Sequence, residues 1–96
     1  MKWVEVIEFR SYQKDQALLE LDVRNCLRDA LSNADIVKID VYSHATLPTD
    51  LGIHVHYDSV TVANQGSPLG IQLVSELQAF GVVNHTVWVE HKENTL

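Results

Sequence analysis

"IVKIDVYSHATLPTDLGIHVHYDS", residues 36–59, decides the fold. It opens with an alternating run, Val37, Ile39 and Val41 against Lys38, Asp40 and Tyr42. Period two of this kind is the mark of a strand with two unlike faces. Pro48 and Gly52 bracket the turn "LPTDLG", whose residue types suit a link between neighbouring antiparallel strands. Alternation resumes over about 52–58, with Ile53, Val55 and Tyr57 on one side and His54, His56 and Asp58 on the other.

Upstream of this hairpin, "WVEVIEFR", residues 3–10, also alternates: Trp3, Glu5, Ile7 and Phe9 face one way, Val4, Val6, Glu8 and Arg10 the other. Apolar side chains on both sides predict a central strand. From about Asp15 the period lengthens, and Leu19, Val23, Cys26, Leu27, Ala30 and Ala34 recur at three- and four-residue steps among Glu20, Asp22, Arg24, Arg28 and Asp29. This predicts an amphipathic helix ending near Ser32 to Asp35.

Downstream, "VTVANQGSP" has no period. Ser67 followed by Pro68 is a helix start, since the serine oxygen takes a free amide and proline at the first helical position gives up nothing. Leu69, Leu73, Val74, Leu77 and Phe80 then form a stripe expected to be buried, with Gly81 expected to end the helix in the left-handed conformation. "VVNHTVWVEH" is the last strand.

The order is βαββαβ, a ferredoxin-like α+β domain over residues 1–96: a four-stranded antiparallel sheet with two helices on one face. The other face is then open. A merely solvated face should be uniformly polar, yet Tyr42, His54, His56 and Trp88 are expected there, with Trp3 as a further candidate. These four residues, Tyr42, His54, His56 and Trp88, are the ligand-binding candidates. A face so rich in rings predicts cover by a second copy, making a homodimer, or by a small molecule.

Composition excludes several classes. Seven Lys and Arg against thirteen Asp and Glu, a formal charge of −6, provide no basic patch for nucleic acid. No apolar run approaches the roughly 20 residues that span a bilayer, and glutamates interrupt "MKWVEVIEFR" as a secretory leader. The single Cys26 makes no intrachain disulfide, reads as a small buried hydrophobe, and suits a reduced, cytoplasmic setting.

His54 and His56 share one face with imidazoles roughly 7 Å apart. A metal would need a further ligand from Asp58, His44, His85, His91, Asp40 or Glu90, none at a recognised spacing, so no metal is assigned. His85 alternates with Val83, Val87 and Val89 and reads as a hydrogen-bonded residue on the core side. Glu5, Asp40, Asp58 and Glu90 are not paired by any spacing and read as solvated or salt-bridged. The chain has no G-x-G-x-x-G, P-loop, C-x-x-C, H-E-x-x-H or G-x-S-x-G. In "GSPLG" the serine is explained as a cap, at a helix start where an anion can also rest.

The sequence from "WVEVIEFRSY" through "ALLELDVRNCLRDAL", the strands "IVKIDVYS" and "GIHVHYDS", to "VWVEH" resembles the dimeric α+β barrel group, and within it the antibiotic-biosynthesis-monooxygenase-like domains. The resemblance is one of layout over almost the whole chain. It implies pairing through open sheet faces and a group that includes cofactor-independent oxygenases, haem-degrading enzymes and proteins without assigned activity. The haem-degrading members look to a histidine on the second helix, and "SPLGIQLVSELQAFG" has none, which argues against haem; no cofactor is assigned, and no catalytic residue matches position by position, so none is carried over. Two readings follow: a dimer that binds or oxidises a small molecule, aromatic ones included, or a non-catalytic dimerisation or regulatory domain.

Overall fold

In a computed structural model that describes residues 1–12, 16–28 and 33–92, with only the helical backbone for 16–19, the elements follow the expected order. They are β1 (Lys2–Ser11), α1 (Gln16–Leu27), β2 (Ile36–Ser43), β3 (Asp50–Asp58), α2 (Pro68–Leu77) and β4 (Gly81–Val89). The strands form one four-stranded sheet in the order β2-β3-β1-β4, every pair antiparallel. This is the ferredoxin-like α+β arrangement. β1 is central, as its two apolar rows require.

Register sorts the side chains. Trp3, Ile7 and Phe9 of β1 share a face with Leu51, Ile53, Val55 and Tyr57 of β3, and these pack with Val23 and Leu27 of α1 and Leu73 and Leu77 of α2 in one buried cluster. Both helices therefore cover the same face, and their three- and four-residue stripes close the core. The opposite face runs in rows across the strands: Lys38, His56, Val4 and Trp88; then Asp40, His54, Val6 and Thr86; then Tyr42, Gly52, Glu8 and Asn84. The β2–β3 turn is pinned at its base, where the Arg10 guanidinium donates to both oxygens of Asp50, Nη2 at 2.9 Å. That hydrogen-bonded pairing holds the Asp50 carboxyl below its usual range.

Several expectations are corrected. Trp3 is not on the open face: it is buried, stacked on Tyr57 with centroids 4.1 Å apart, and its Nε1 donates to Ser59 Oγ at 2.9 Å. A register shift between Ile36 and Lys38 breaks the Val37, Ile39, Val41 row, so Ile36 shares the core face with Ile39 and Val41 while Val37 is exposed. α1 closes at Leu27, and Ala34 stands exposed in the turn before β2 instead of on the helical stripe; the side chain of Leu19, with Asp29, Ala30 and Ser32, lies outside the described residues. α2 closes at Leu77, and the chain turns through 78–80 so that the Phe80 carbonyl accepts from the Tyr12 amide at 2.9 Å, which leaves the Phe80 ring exposed.

Gly81 is not the left-handed helix terminator. It opens β4, and only Gly66 has a positive φ, 106°, among the described residues. Glycine is needed at 81 because a Cβ there would run into the Arg10 carbonyl oxygen, a backbone atom that cannot swing aside, and into the Phe9 ring at 2.7 Å. Gly81→Ala should therefore lower the unfolding free energy by about 1–3 kcal/mol. Gly52→Ala, whose Cβ would meet ordinary contacts at 3.9 Å, should change it by no more than about 0.5 kcal/mol. Urea unfolding of the two variants checks the contrast.

Candidate functional site

The sheet carries chemistry on both faces. On the helical face, in a row otherwise built from Trp3, Ile7 and Phe9, stands Glu5, with no exposed surface. An ionised carboxylate removed from water is costly unless its lone pairs are occupied by donors. Here they are. Ser67, the cap of α2, donates its backbone N–H to Glu5 Oε2 at 2.9 Å and its hydroxyl to Oε1 at 2.7 Å. The Tyr57 hydroxyl lies 3.0 Å from Oε1 and 2.8 Å from Ser67 Oγ, and His85 Nε2 lies 2.6 Å from Oε2.

Each partner arrives for a local reason. Tyr57 and His85 are opposite Trp3 and Ile7, the diagonal cross-strand neighbours of Glu5 on either side of β1. Ser67 has extended backbone, φ −70° and ψ 161°, and its oxygen accepts the Gly70 N–H at 2.9 Å in an N-cap, with Pro68 in the first turn. The positive end of α2 thereby points at the carboxylate. Two glycines of "GSPLG" make room: a Cβ on Gly70 would coincide with the Glu5 carboxylate, and one on Gly66 would strike the His85 ring.

The anion expected at this helix start is thus the chain's own Glu5. Of its reading as a solvated or salt-bridged carboxylate, the solvated half is corrected, since Glu5 is buried and pairs with His85; His85 is the hydrogen-bonded core-side residue its valine neighbours predicted. Burial drives the Tyr57 phenol well above its ordinary value, opposed in part by the Ser67 hydrogen bond and reinforced by the Glu5 charge. His85 is the half-buried member of the cluster, its side chain 18% exposed, whereas Glu5, Tyr57 and Ser67 are buried. It lines a hollow of about 300 Å³ at the β4 edge with Asn64, Gln65, Thr86, Val87 and Trp88.

On the open face, Tyr42, His54 and His56 are contiguous. The Tyr42 and His54 rings are 4.9 Å apart and the two imidazoles 6.4 Å, close to the strand-repeat expectation. Trp88 stands apart, two strands away from His56 across Val4. His56 and Trp88 border a hollow of about 330 Å³ with Val4, Val37 and Lys38, which Tyr42 and His54 do not reach. His56 Nε2 is buried 3.2 Å from Asp40 Oδ2, out of line for a hydrogen bond and without another partner among the described residues. Trp88 is 61% exposed, its Nε1 donating to Thr86 Oγ1 at 2.9 Å. Among the described residues no three His, Cys, Asp or Glu side chains gather as a metal site. Cys26 is half-buried, and burial, then the Glu76 carboxylate, raises its thiol. No described helix is long and apolar enough to cross a membrane.

With this geometry in view, the fold has clear counterparts. Rv0793 from Mycobacterium tuberculosis superposes with a TM-score of 0.71 at 16% identity, covering 99% of this chain and 100% of its own. SnoaB, a cofactor-independent oxygenase from Streptomyces nogalater, gives 0.74 at 10% identity over 95% of this chain and 94% of its own. A candidate antibiotic biosynthesis monooxygenase from Deinococcus radiodurans gives 0.72 at 11% identity over 98% and 97%. The chain thus has the fold of the antibiotic-biosynthesis-monooxygenase-like proteins, and at these identities the likeness is one of fold. No family model matches the sequence. No curated protein matches it either.

Two outcomes follow from the Glu5 cluster. Glu5→Gln replaces an acceptor with an amide donor facing donors, and should cost about 1–3 kcal/mol in chemical denaturation. The ordinary phenol ionises at 10.0, so above that pH the unfolded chain releases a proton that folded Tyr57 keeps. Stability should then fall with rising pH, by up to about 1.4 kcal/mol per unit, a slope that Tyr57→Phe should flatten in urea titrations on either side of that value.

Proposed function

We propose that residues 1–96 act as one domain that pairs with a second copy through the open sheet face, and that the pair holds a small, planar organic molecule against Val4, His56 and Trp88. The observation that carries this reading is the hollow itself. At about 330 Å³ it falls within the range of small-molecule sites, and its wall of Val4, Val37 and Trp88 includes one imidazole and Lys38. Exposed Trp88, Val82, Tyr42 and Val37 on the same face are the kind of patch that a partner covers. The face also carries both signs of charge, Lys38 and Arg10 against Asp40, Glu8 and Asp50, which suits a self-complementary two-fold contact.

SnoaB shares this fold and is a cofactor-independent oxygenase, so oxidation of the bound molecule without a cofactor is the reaction to test first. Tyr42 and His54 belong to the inter-subunit contact in this reading, beside the ligand instead of around it. A cytoplasmic setting suits the reduced Cys26.

Light scattering should give twice the chain mass, and Val6→Glu, which puts a charge in the middle of the paired face, should halve it. A thermal-shift screen of phenols and quinones should find compounds that raise the melting temperature of the wild type. His56→Ala should abolish that shift while the mass stays doubled. A monomeric wild type refutes the pairing. Loss of the dimer, instead of the ligand, in His56→Ala would favour the non-catalytic dimerisation reading.

A further inference from the structure

Beyond the open-face hollow, the geometry points to a second, catalytic site at the β4 edge: His85, held by buried Glu5, is a general base that removes an α-proton from a small, neutral, planar carbonyl compound.

Proton ownership carries the first step. Glu5 Oε2 already accepts the Ser67 N–H, and Oε1 is met by hydroxyls that donate to it. A carboxylate only accepts, so at the 2.6 Å contact the hydrogen belongs to His85 Nε2. The ring of the neutral histidine then carries its lone pair on Nδ1, the nitrogen that no described residue engages. Glu5 is the positioning residue, and it also stabilises the imidazolium formed when Nδ1 takes a proton. Glu5 itself is fully buried, and His85 is the member of the pair that lines the 300 Å³ hollow.

The hollow describes the substrate. Asn64 and Gln65 are exposed and make no hydrogen bond among the described residues, so their amides are free to donate to a carbonyl oxygen. Trp88 lines this hollow as well as the open-face one, and with its N–H already spent on Thr86 it adds apolar ring surface to the wall. No described Lys or Arg lines the hollow, and the chain carries a net charge of −6, which disfavours an anion.

The step balances without any co-reactant. The substrate α-C–H bond breaks, its proton forms the Nδ1–H bond, and the electron pair moves onto the carbonyl oxygen to give an enolate. Return of a proton to carbon from Nδ1 regenerates neutral His85 and completes an isomerisation or, in D2O, a hydrogen-for-deuterium exchange.

The probe is 2-tetralone, a flat neutral ketone, with loss of its α-hydrogens in D2O followed by proton NMR. The wild type should accelerate exchange over buffer by roughly 10²-fold or more. The rate should rise with pH as one group loses its proton, and His85→Gln should abolish both the acceleration and that limb. Glu5→Gln, whose carbonyl oxygen still accepts from the Ser67 N–H and from Nε2 but which lacks the charge that stabilises the imidazolium, should fall towards the His85→Gln rate. Should a variant fail to fold, nitrogen NMR of the wild type still decides: neutral His85 must be the Nε2–H tautomer. No acceleration over buffer, exchange undiminished in folded His85→Gln, or an Nδ1–H tautomer in the wild type each overturns the proposal.

Discussion

One carboxylate ties the molecule together. Glu5 sits in the middle of the central strand, without exposure, and the amide and hydroxyl that open α2 both donate to it. β3 and β4 each send a polar side chain to the same two oxygens, Tyr57 and His85. Three strands and a helix thereby converge on one charge. Buried charge is weak evidence for stability in its own right, because desolvation opposes the pairing. What it does provide is register: a slip of one residue in β1 would turn Glu5 to the open face and leave Ser67, Tyr57 and His85 without their acceptor. The two glycines flanking the contact belong to the same constraint, since side chains at 66 and 70 would occupy the space of the imidazole and the carboxylate.

This arrangement divides the sheet's labour. The helical face holds a polar cluster whose half-buried member, His85, lines a hollow at the β4 edge, while the open face holds imidazoles, a tyrosine and a valine-floored hollow. Trp88 belongs to both margins, since it lines the open-face hollow and the edge hollow alike. A single exposed indole on an edge strand thus connects the surface proposed for pairing with the region next to the buried carboxylate.

Legibility in the sequence followed the range of each interaction. Alternation in β1, β2 and β3 and the serine-proline start of α2 are local, and they identified the element order, the sheet's two faces and the placement of His54, His56, Tyr42 and Trp88 together on one of them. Trp3 failed as an open-face residue although its own row, with Ile7 and Phe9, already put it on the core side. Gly81 failed because a close approach to Arg10 and a left-handed turn both call for glycine, and period cannot tell them apart. The bulge at Val37 left no mark in an apolar-polar alternation that reads smoothly across it.

The Glu5 cluster was harder, yet it was not silent. Glutamate in an apolar row of a central strand, histidine among valines in another, and a capping serine are each unremarkable alone; read together, they are polar groups on core faces that need one another. By itself, then, the chain determined its βαββαβ order and which side chains share a face, because helix and strand periods are written in neighbouring residues. Only the tertiary structure decided that Glu5, Tyr57, Ser67 and His85 meet, because they are as many as 80 residues apart and strand order and register, which depend on the whole core, bring them within hydrogen-bond distance.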